Sequence, residues 1–172
     1  MPKTTSIKYV SQVAMLLNKY FRKNNCSIYS QLKSSGGTDI LIVNNKTKKI
    51  VRINVYYSTA GRSNSEYNYS CWFSNFINKY EEGITDFYIF ISYNEKENIK
   101  ELVLCYNDDD IKFLNKSKLK KSDKTDKFFY YKFNSPTEVY IDRGFLHLSK
   151  EERDHSKYVL KKRIKDIYSF LS

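Results

Sequence analysis

The sequence predicts an α/β domain in which helices pack against both faces of a mixed β-sheet. Apolar residues recur at every third or fourth position over 10–21, which indicates an amphipathic helix. They alternate with polar residues over 50–57, as in a strand with two different faces, and 87–91 is apolar throughout, as in a fully buried strand. The chain has 172 residues, so 1–172 is expected to form a single domain.

The first third of the chain is expected to contain one helix followed by three short strands. Between the second and third strands, Asn44-Asn45-Lys46-Thr47 is typical of a tight turn, so these two strands should form an antiparallel hairpin. A flexible glycine-containing turn over 34–37 precedes them. The helix is expected over 5–23, and the strands over 26–32, 39–43 and 50–57.

The third of these strands presents two chemically different faces, because successive side chains point to opposite sides of a sheet. Its polar face is the first place to look for a functional site. One face is expected to carry Val51, Ile53, Val55 and Tyr57, and the other Arg52, Asn54 and Tyr56.

The remainder is expected to alternate helices and strands after a polar loop over 59–69. The spacing of Trp72, Phe73, Phe76 and Ile77 predicts a helix over 70–80 with these side chains on its inner side. Further strands are expected over 87–91, 101–106 and 128–133, with a charged loop over 116–127.

Two further helices are indicated by their capping residues. Asn107 or Asp108 should begin a short helix that ends near Leu114, because such residues pair with the free N–H groups of a first turn. Ser149 and Glu152 have the spacing of a capping box and predict a last helix that ends near residue 170.

Positive charge is concentrated in the first part of the chain. The formal net charge is +11, and residues 1–65 contain eleven Lys and Arg against one acid, Asp39. The other 107 residues contain nineteen Lys and Arg against eighteen acids. A concentrated positive field attracts phosphates, so a polyanionic partner is predicted, whereas a merely solvated basic surface is the alternative.

Composition argues against several other classes of protein. No apolar stretch is long enough to span a membrane, and the first ten residues lack the apolar segment of a secretory signal. The three cysteines are widely spaced and only two histidines are present, so neither a zinc site nor a disulfide framework is expected. These observations predict a cytoplasmic protein without membrane contact.

The order of elements and the sequence around Asp39 resemble the core of the PD-(D/E)XK nuclease-like superfamily. Gly36-Gly37-Thr38-Asp39-Ile40-Leu41-Ile42-Val43 leads into Ile50-Val51-Arg52-Ile53-Asn54-Val55-Tyr56, and Trp72 is followed by an apolar run over 86–91. Members of this group share a restriction-endonuclease-like αβββαβ core. The resemblance covers about 5–106, which leaves 107–172 as a C-terminal elaboration.

The resemblance implies a role for each motif position. In working members, two carboxylates hold a divalent cation, commonly Mg²⁺, and a lysine on the same strand positions or activates the attacking water. Asp39 falls on the metal-binding aspartate, Asn54 on the second acid and Tyr56 on the lysine. Because Asn54 and Tyr56 carry no charge, and 1–38 contains no acid, metal binding by Asp39 should be weak and the site catalytically degenerate.

The expected function is therefore nucleic-acid binding without catalysis and without a cofactor. The expected partner is a nucleic acid, with DNA favoured over RNA but not distinguished from it by the sequence. A homodimer is open because folds of the kind resembled often dimerise. Phosphate contacts should give weakly specific, strongly salt-dependent binding. The residues expected to make these contacts are Lys8, Lys33, Lys46, Lys48, Lys49, Arg52 and Arg62.

Three alternatives stay open from the sequence. Asp39 follows a Gly-Gly-Thr turn, where a carboxylate often only accepts hydrogen bonds from nearby backbone N–H groups. An active Mg²⁺-dependent endonuclease of the restriction or repair type would recruit a second acid from elsewhere, and Glu66 is the nearest in sequence after Asp39. A protein-interaction or inhibitor module in bacterial or phage conflict would use the aromatic residues Tyr67, Tyr69 and Trp72.

Overall fold

The computed structural model of the chain describes residues 3–31, 37–74, 83–119 and 128–172. Within these ranges no helix is long and apolar enough to cross a bilayer. The helices are α1 (Lys3–Phe21), α2 (Asp108–Ser117), α3 (Lys150–Arg153) and α4 (Leu160–Leu171). The strands are β1 (Cys26–Ser30), β2 (Ile40–Asn44), β3 (Ile50–Thr59), β4 (Gly61–Arg62), β5 (Tyr69–Ser74), β6 (Phe87–Asn94), β7 (Ile99–Asn107), β8 (Phe128–Ser135) and β9 (Glu138–Ile141).

A five-stranded mixed sheet with the strand order β1-β2-β3-β6-β7 forms the centre of the fold. β1, β2 and β3 pair as an antiparallel meander, β6 lies parallel to β3, and β7 returns antiparallel to β6. The predicted α/β class, with a mixed sheet flanked by helices, is confirmed. The parallel pairing sets Asn54 beside Tyr88 and Tyr56 beside Phe90, which gives the polar face of β3 aromatic neighbours.

Helices α1 and α4 cover one face of this central sheet. Leu17 of α1 and Ile167 of α4 are fully buried in the same apolar cluster as Val51 and Ile53 of β3. Burial of one such side chain contributes about 1.5–3 kcal/mol, so this layer is a major source of stability. The apolar face predicted for β3 is the face that the helices cover.

The opposite face is covered by a second sheet, so the expectation of helices on both faces of the central sheet is wrong. The second sheet is antiparallel with the strand order β4-β5-β8-β9, and β4 lies inside the predicted polar loop over 59–69. Phe73 of β5 and Phe129 of β8 are buried against Phe90 of β6. The described residues are therefore layered as helices, central sheet and second sheet, and α2 packs against β7 in the apolar cluster that the second sheet shares.

The helix predicted over 70–80 is wrong for the residues that the structure describes. Tyr69–Ser74 forms strand β5, while 75–80 lies outside the described residues. Cys71 and Phe73 point into the core, and each residue of β5 pairs with one of β8, for example Trp72 with Tyr130. The apolar segment around Trp72 is so short that its spacing fits both the helical period of 3.6 residues and the strand period of two. Pairing with the distant strand β8 makes it a strand.

The helix α2 begins as predicted and ends later. The Asn107 side chain accepts a hydrogen bond from Asp110 N at 2.8 Å, and the Asp110 carboxylate accepts one from Asn107 N at 2.9 Å. This reciprocal pair is a capping box. The helix continues past Leu114 to Ser117, into the predicted charged loop, of which 120–127 lies outside the described residues.

The last predicted helix begins at its capping box but does not run without a break. Glu152 N donates to Ser149 Oγ at 3.1 Å, and α3 then ends at Arg153. His155 N donates to Val139 O at 2.8 Å, and Asp154 forms an isolated bridge with Tyr140. Because the chain here pairs with the edge of β9, the helical hydrogen bonds stop, and α4 begins only at Leu160.

Candidate functional site

Asp39 lies immediately before β2, against the middle of β3. Its Oδ2 accepts a hydrogen bond from Val55 N at 2.8 Å, and its own N–H donates to Ile53 O at 3.1 Å. The side-chain oxygen Oδ1 of Asn54 also accepts from Asp39 N, at 3.3 Å. The hairpin between β2 and β3 therefore brings the Asn54 side chain into contact with the Asp39 backbone.

Tyr56 completes the cluster from the next position on the same face of β3. Its ring packs near Phe90 and Tyr88, with centroid separations of 5.4 and 6.5 Å. Burial raises the pKa of Tyr56 to about 12; a hydrogen bond with Asn54 lowers it, and the nearby Asp39 charge raises it further. The phenol is thus neutral near pH 7 and is neither a base nor a cation.

The three motif positions together hold one formal negative charge, that of Asp39. One of its carboxylate oxygens accepts the Val55 N–H bond, which is the local backbone role weighed from the sequence. Across the ranges that the structure describes, no group of three or more His, Cys, Asp or Glu side chains is arranged to hold a metal ion. Glu66, the acid considered as a recruit, lies exposed in the loop between β4 and β5.

Arg52, predicted to contact phosphates, is held by a carboxylate that the sequence analysis did not assign to it. Its guanidinium donates to both oxygens of Asp86, from Nη2 at 3.0 Å and from Nε at 3.1 Å. Asp86 N also donates to Arg52 O at 3.0 Å, and Arg52 N donates to the Asp86 carboxylate at 2.7 Å, because Asp86 stands at the entrance to β6, beside β3. A phosphate would have to compete with this bidentate pair for Arg52.

The other predicted phosphate-binding residues lie toward opposite ends of β3. Lys46, Lys48 and Lys49 are exposed in the turn between β2 and β3. That turn begins five residues after Asp39, a distance of about 17 Å along an extended strand. Lys8 lies on α1 with its Nζ 5.9 Å from the Tyr93 ring, near the far end of β3.

Two further predicted residues complete the set. Arg62 is exposed on β4, which follows the far end of β3 in sequence but belongs to the second sheet, whereas Lys8 lies on α1 in the helical layer. Lys33 lies outside the described residues. The predicted contacts therefore do not form one patch around Asp39.

The aromatic residues considered for a protein partner do not share one surface. Tyr69 packs inward against Phe133, with ring centroids 5.5 Å apart, in the core under the second sheet. Trp72 points outward and lies under the Arg143 guanidinium, which is 4.2 Å from its ring centroid. Tyr67 lies 5.2 Å from Tyr140, on the outward side of the same sheet.

Comparison with known proteins leaves the family of the chain unassigned. The sequence matches no protein-family model and no curated protein. Among solved structures, a bacterial homing endonuclease has a similar arrangement, with a TM-score of 0.40 and 14% identity over 95% of this chain and 99% of that one. A likeness at this level carries no argument about function.

Proposed function

We propose that this chain is a nucleic-acid-binding protein with a nuclease-like site that cannot hydrolyse a phosphodiester bond. The observation that carries the proposal is the composition of the cluster around Asp39. Its two partners from β3, Asn54 and Tyr56, are both uncharged, although the equivalent positions in the PD-(D/E)XK pattern hold an acid and a lysine.

The chemistry of metal-dependent hydrolysis explains why this composition matters. Mg²⁺ binds hard, charged oxygen ligands, and protein sites for it commonly use one or two carboxylates together with substrate phosphates. Asp39 would be the single charged ligand of this cluster, and the neutral amide of Asn54 adds only a weak oxygen. A phenol with a pKa of about 12 supplies no positive charge to replace the lysine.

The binding half of the proposal is supported by charge. The net charge is +11, and the first 65 residues contribute all but one unit of it. Neutralising phosphates with lysine and arginine releases counterions, so affinity falls steeply as salt rises. Such contacts do not read base sequence, so specificity should be low.

A cleavage assay tests the catalytic half. The protein is incubated with plasmid DNA and Mg²⁺ or Mn²⁺, beside Asp39→Asn, which removes the charge but retains an oxygen that can accept the Val55 N–H bond. We expect no nicking that depends on Asp39. Cleavage that the wild type shows and Asp39→Asn loses would mean that the site is a working nuclease.

A binding assay tests the other half. Fluorescence anisotropy with labelled double-stranded DNA, single-stranded DNA and RNA is measured between about 50 and 200 mM salt, where phosphate contacts cause a large change in affinity. We expect binding at low salt with a steep, linear dependence of log affinity on log salt. No binding to any of the three probes at low salt would contradict the proposal and favour a protein-interaction module.

A further inference from the structure

Three segments that are distant in sequence meet at the end of the helical layer remote from Asp39. The turn between β2 and β3 contacts the segment after α1 through Asn45 N, which donates to Asn25 O at 2.9 Å. The same turn contacts the end of α4, where Thr47 Oγ1 donates to Leu171 O at 2.9 Å. The two helices contact each other through Phe21 and Tyr168, with ring centroids 6.3 Å apart.

This meeting point is rich in exposed cations from all three segments. We call it the basic end surface and define it by six exposed side chains. The turn residue Lys49 also lies here, but its Nζ donates to Ser172 O and it is left out of the definition. The six are Lys19, Arg22, Lys23, Lys46, Lys48 and Lys165.

Three carboxylates next to β3 and α4 are engaged by arginines. Arg163 of α4 pairs with Asp110 at 2.7 Å and with Asp166 at 3.0 Å. Asp86 is held by Arg52 of β3, as described above. The two arginines and three carboxylates together carry one net negative charge, which offsets at most one of the six positive charges of the basic end surface.

Helix dipoles account for only a small part of this charge. Both α1 and α4 end here, and the C-terminus of a helix carries a partial charge of about −0.5. Two helix ends therefore offset about one of the six positive charges. Lys46 and Lys48 lie in the turn and not at a helix end, so helix capping does not account for them. The remaining positive charge is complementary to an external polyanion.

Two partly exposed tyrosines lie among the cations. Tyr20 is 36% exposed and follows Lys19 on α1, and Tyr168 is 37% exposed, one helical turn after Lys165 on α4. Phenol hydroxyls donate to phosphate oxygens, and tyrosine rings stack on unpaired bases. This combination of exposed tyrosine and lysine suits a nucleic acid.

We propose that the basic end surface is the principal site at which this protein binds the phosphate backbone of a nucleic acid. The inference rests on the proposed function and adds where the nucleic acid docks. The turn at its centre lies about 17 Å along the strand from Asp39, so the bound backbone is held away from the degenerate site. Binding is therefore independent of Asp39.

A pair of charge-matched variants tests the location. The surface variant, Lys23→Glu/Lys46→Glu/Lys165→Glu, changes one exposed residue on each of the three segments. The control, Lys96→Glu/Lys116→Glu/Lys150→Glu, changes three exposed lysines in the β6–β7 hairpin, α2 and α3, with the same change in net charge. Both are checked for folding by the fluorescence of Trp72, the one tryptophan of the chain.

The readout is the affinity for a short labelled DNA duplex across a salt series. We expect the surface variant to lose at least tenfold in affinity at low salt and the control to lose no more than about twofold. The slope of log affinity against log salt should become shallower by about 0.9 for each phosphate contact removed, in the surface variant only. Asp39→Asn should bind as the wild type does.

Each contrary result has a distinct meaning. Equal losses in the two triple variants, or a larger loss in Lys8→Glu/Arg62→Glu near the other end of β3, would overturn the location and leave nucleic-acid binding intact. No binding by the folded wild type would overturn the proposed function together with the location. Binding to vesicles of anionic phospholipid in place of any nucleic acid would likewise overturn both.

Discussion

At the scale of single residues, the candidate site depends on a carboxylate with a structural role. The hydrogen bond from Val55 N to Asp39 Oδ2 ties the start of β2 to the middle of β3. Asn54 supports the same contact by accepting from Asp39 N. Asp39 would therefore be needed for local structure whether or not a metal ever binds. Substitutions of Asp39 must separate this structural role from a role in metal binding.

Adding a second carboxylate should create the metal affinity that the site lacks. Asn54→Asp is nearly isosteric and sets a second charged oxygen beside Asp39, which is the ligand pair that divalent cations prefer. We expect Mn²⁺ titration followed by electron paramagnetic resonance to show a bound ion in Asn54→Asp and none in the wild type at the same concentration. Asn107→Asp, at the cap of α2, is the matched control.

Mn²⁺ bound by the wild type as tightly as by Asn54→Asp would contradict the idea of a degenerate site. Loss of the bound ion in the double variant Asn54→Asp/Asp39→Asn would locate it at the cluster. Binding that persists in that double variant would place it elsewhere.

His155 should make stability depend on pH. It is fully buried, with its Nδ1 2.6 Å from the Tyr106 hydroxyl and Tyr158 packed on its ring. Burial lowers the pKa of His155 to about 3, helped by the positive charge of Lys157 and opposed by the negative charge of Asp154. The folded protein thus holds His155 neutral at pH values where an unfolded chain would protonate it.

The protein should lose stability as the pH falls, because the pKa of His155 is lower in the folded protein than in the unfolded chain. As pH falls below about 6.5, the unfolded chain takes up a proton that the folded chain refuses, so stability declines until about pH 3. This group should cost about 3 kcal/mol of unfolding free energy between about pH 7.5 and pH 4.5. Urea denaturation should show a shallower pH dependence in His155→Gln, while the exposed His147→Gln keeps the wild-type dependence.

At the scale of secondary structure elements, β5 is the element that the sequence misassigned. The aromatic residues at its end fit a helical spacing, yet β5 pairs along its whole length with β8, which is about 60 residues later in the chain. Arg143, between β9 and α3, then covers the outward ring of Trp72. Neither partner is detectable from a local pattern, because both contacts depend on where the distant chain packs.

Alanine substitutions in β5 should distinguish the strand from the predicted helix. Phe73 is 2% exposed and contacts Phe90 and Tyr131, so Phe73→Ala should cost about 3–5 kcal/mol. Ser70 is on the opposite face of the strand, so Ser70→Ala should change stability by less than about 0.5 kcal/mol. Urea denaturation followed by Trp72 fluorescence gives both values. Similar losses for the two would favour a helix, in which positions 70 and 73 share a face.

At the scale of the whole molecule, charge is distributed unevenly over the layers. The helical layer ends in the basic end surface, whereas the predicted cations Arg52 and Arg62 lie away from it, and Arg52 is neutralised by Asp86. The +11 charge also repels itself in the folded state. The basic surface therefore has a cost in stability.

Screening this repulsion should stabilise the protein. We expect Tm, measured by differential scanning fluorimetry, to rise by a few degrees as sodium chloride is increased to about 0.15 M, where the Debye length is about 8 Å. The rise should be smaller in the Lys23→Glu/Lys46→Glu/Lys165→Glu variant, whose end surface is less positive. A Tm that falls with salt would show that attractive ion pairs outweigh the repulsion.

The sequence alone determined the features that local geometry encodes. The periods of about 3.6 and 2 residues predicted α1, the strands of the central sheet and the two faces of β3, because each depends only on neighbours a few residues away. The hairpin from β2 to β3 likewise formed as predicted, since only a short turn separates the two strands, and it brings Asn54 next to Asp39. The net charge and its uneven placement along the chain can be determined from the sequence without knowledge of the fold.

The tertiary structure decided everything that requires contacts between distant segments. It paired β5 with β8, broke the last helix where His155 N meets Val139 O, and held Arg52 with Asp86. It also joined α4, which belongs to the part of the sequence where basic and acidic residues nearly balance, to the basic turn near α1. A sequence pattern reports which face a residue occupies, but the partner of that face is set by how the layers pack.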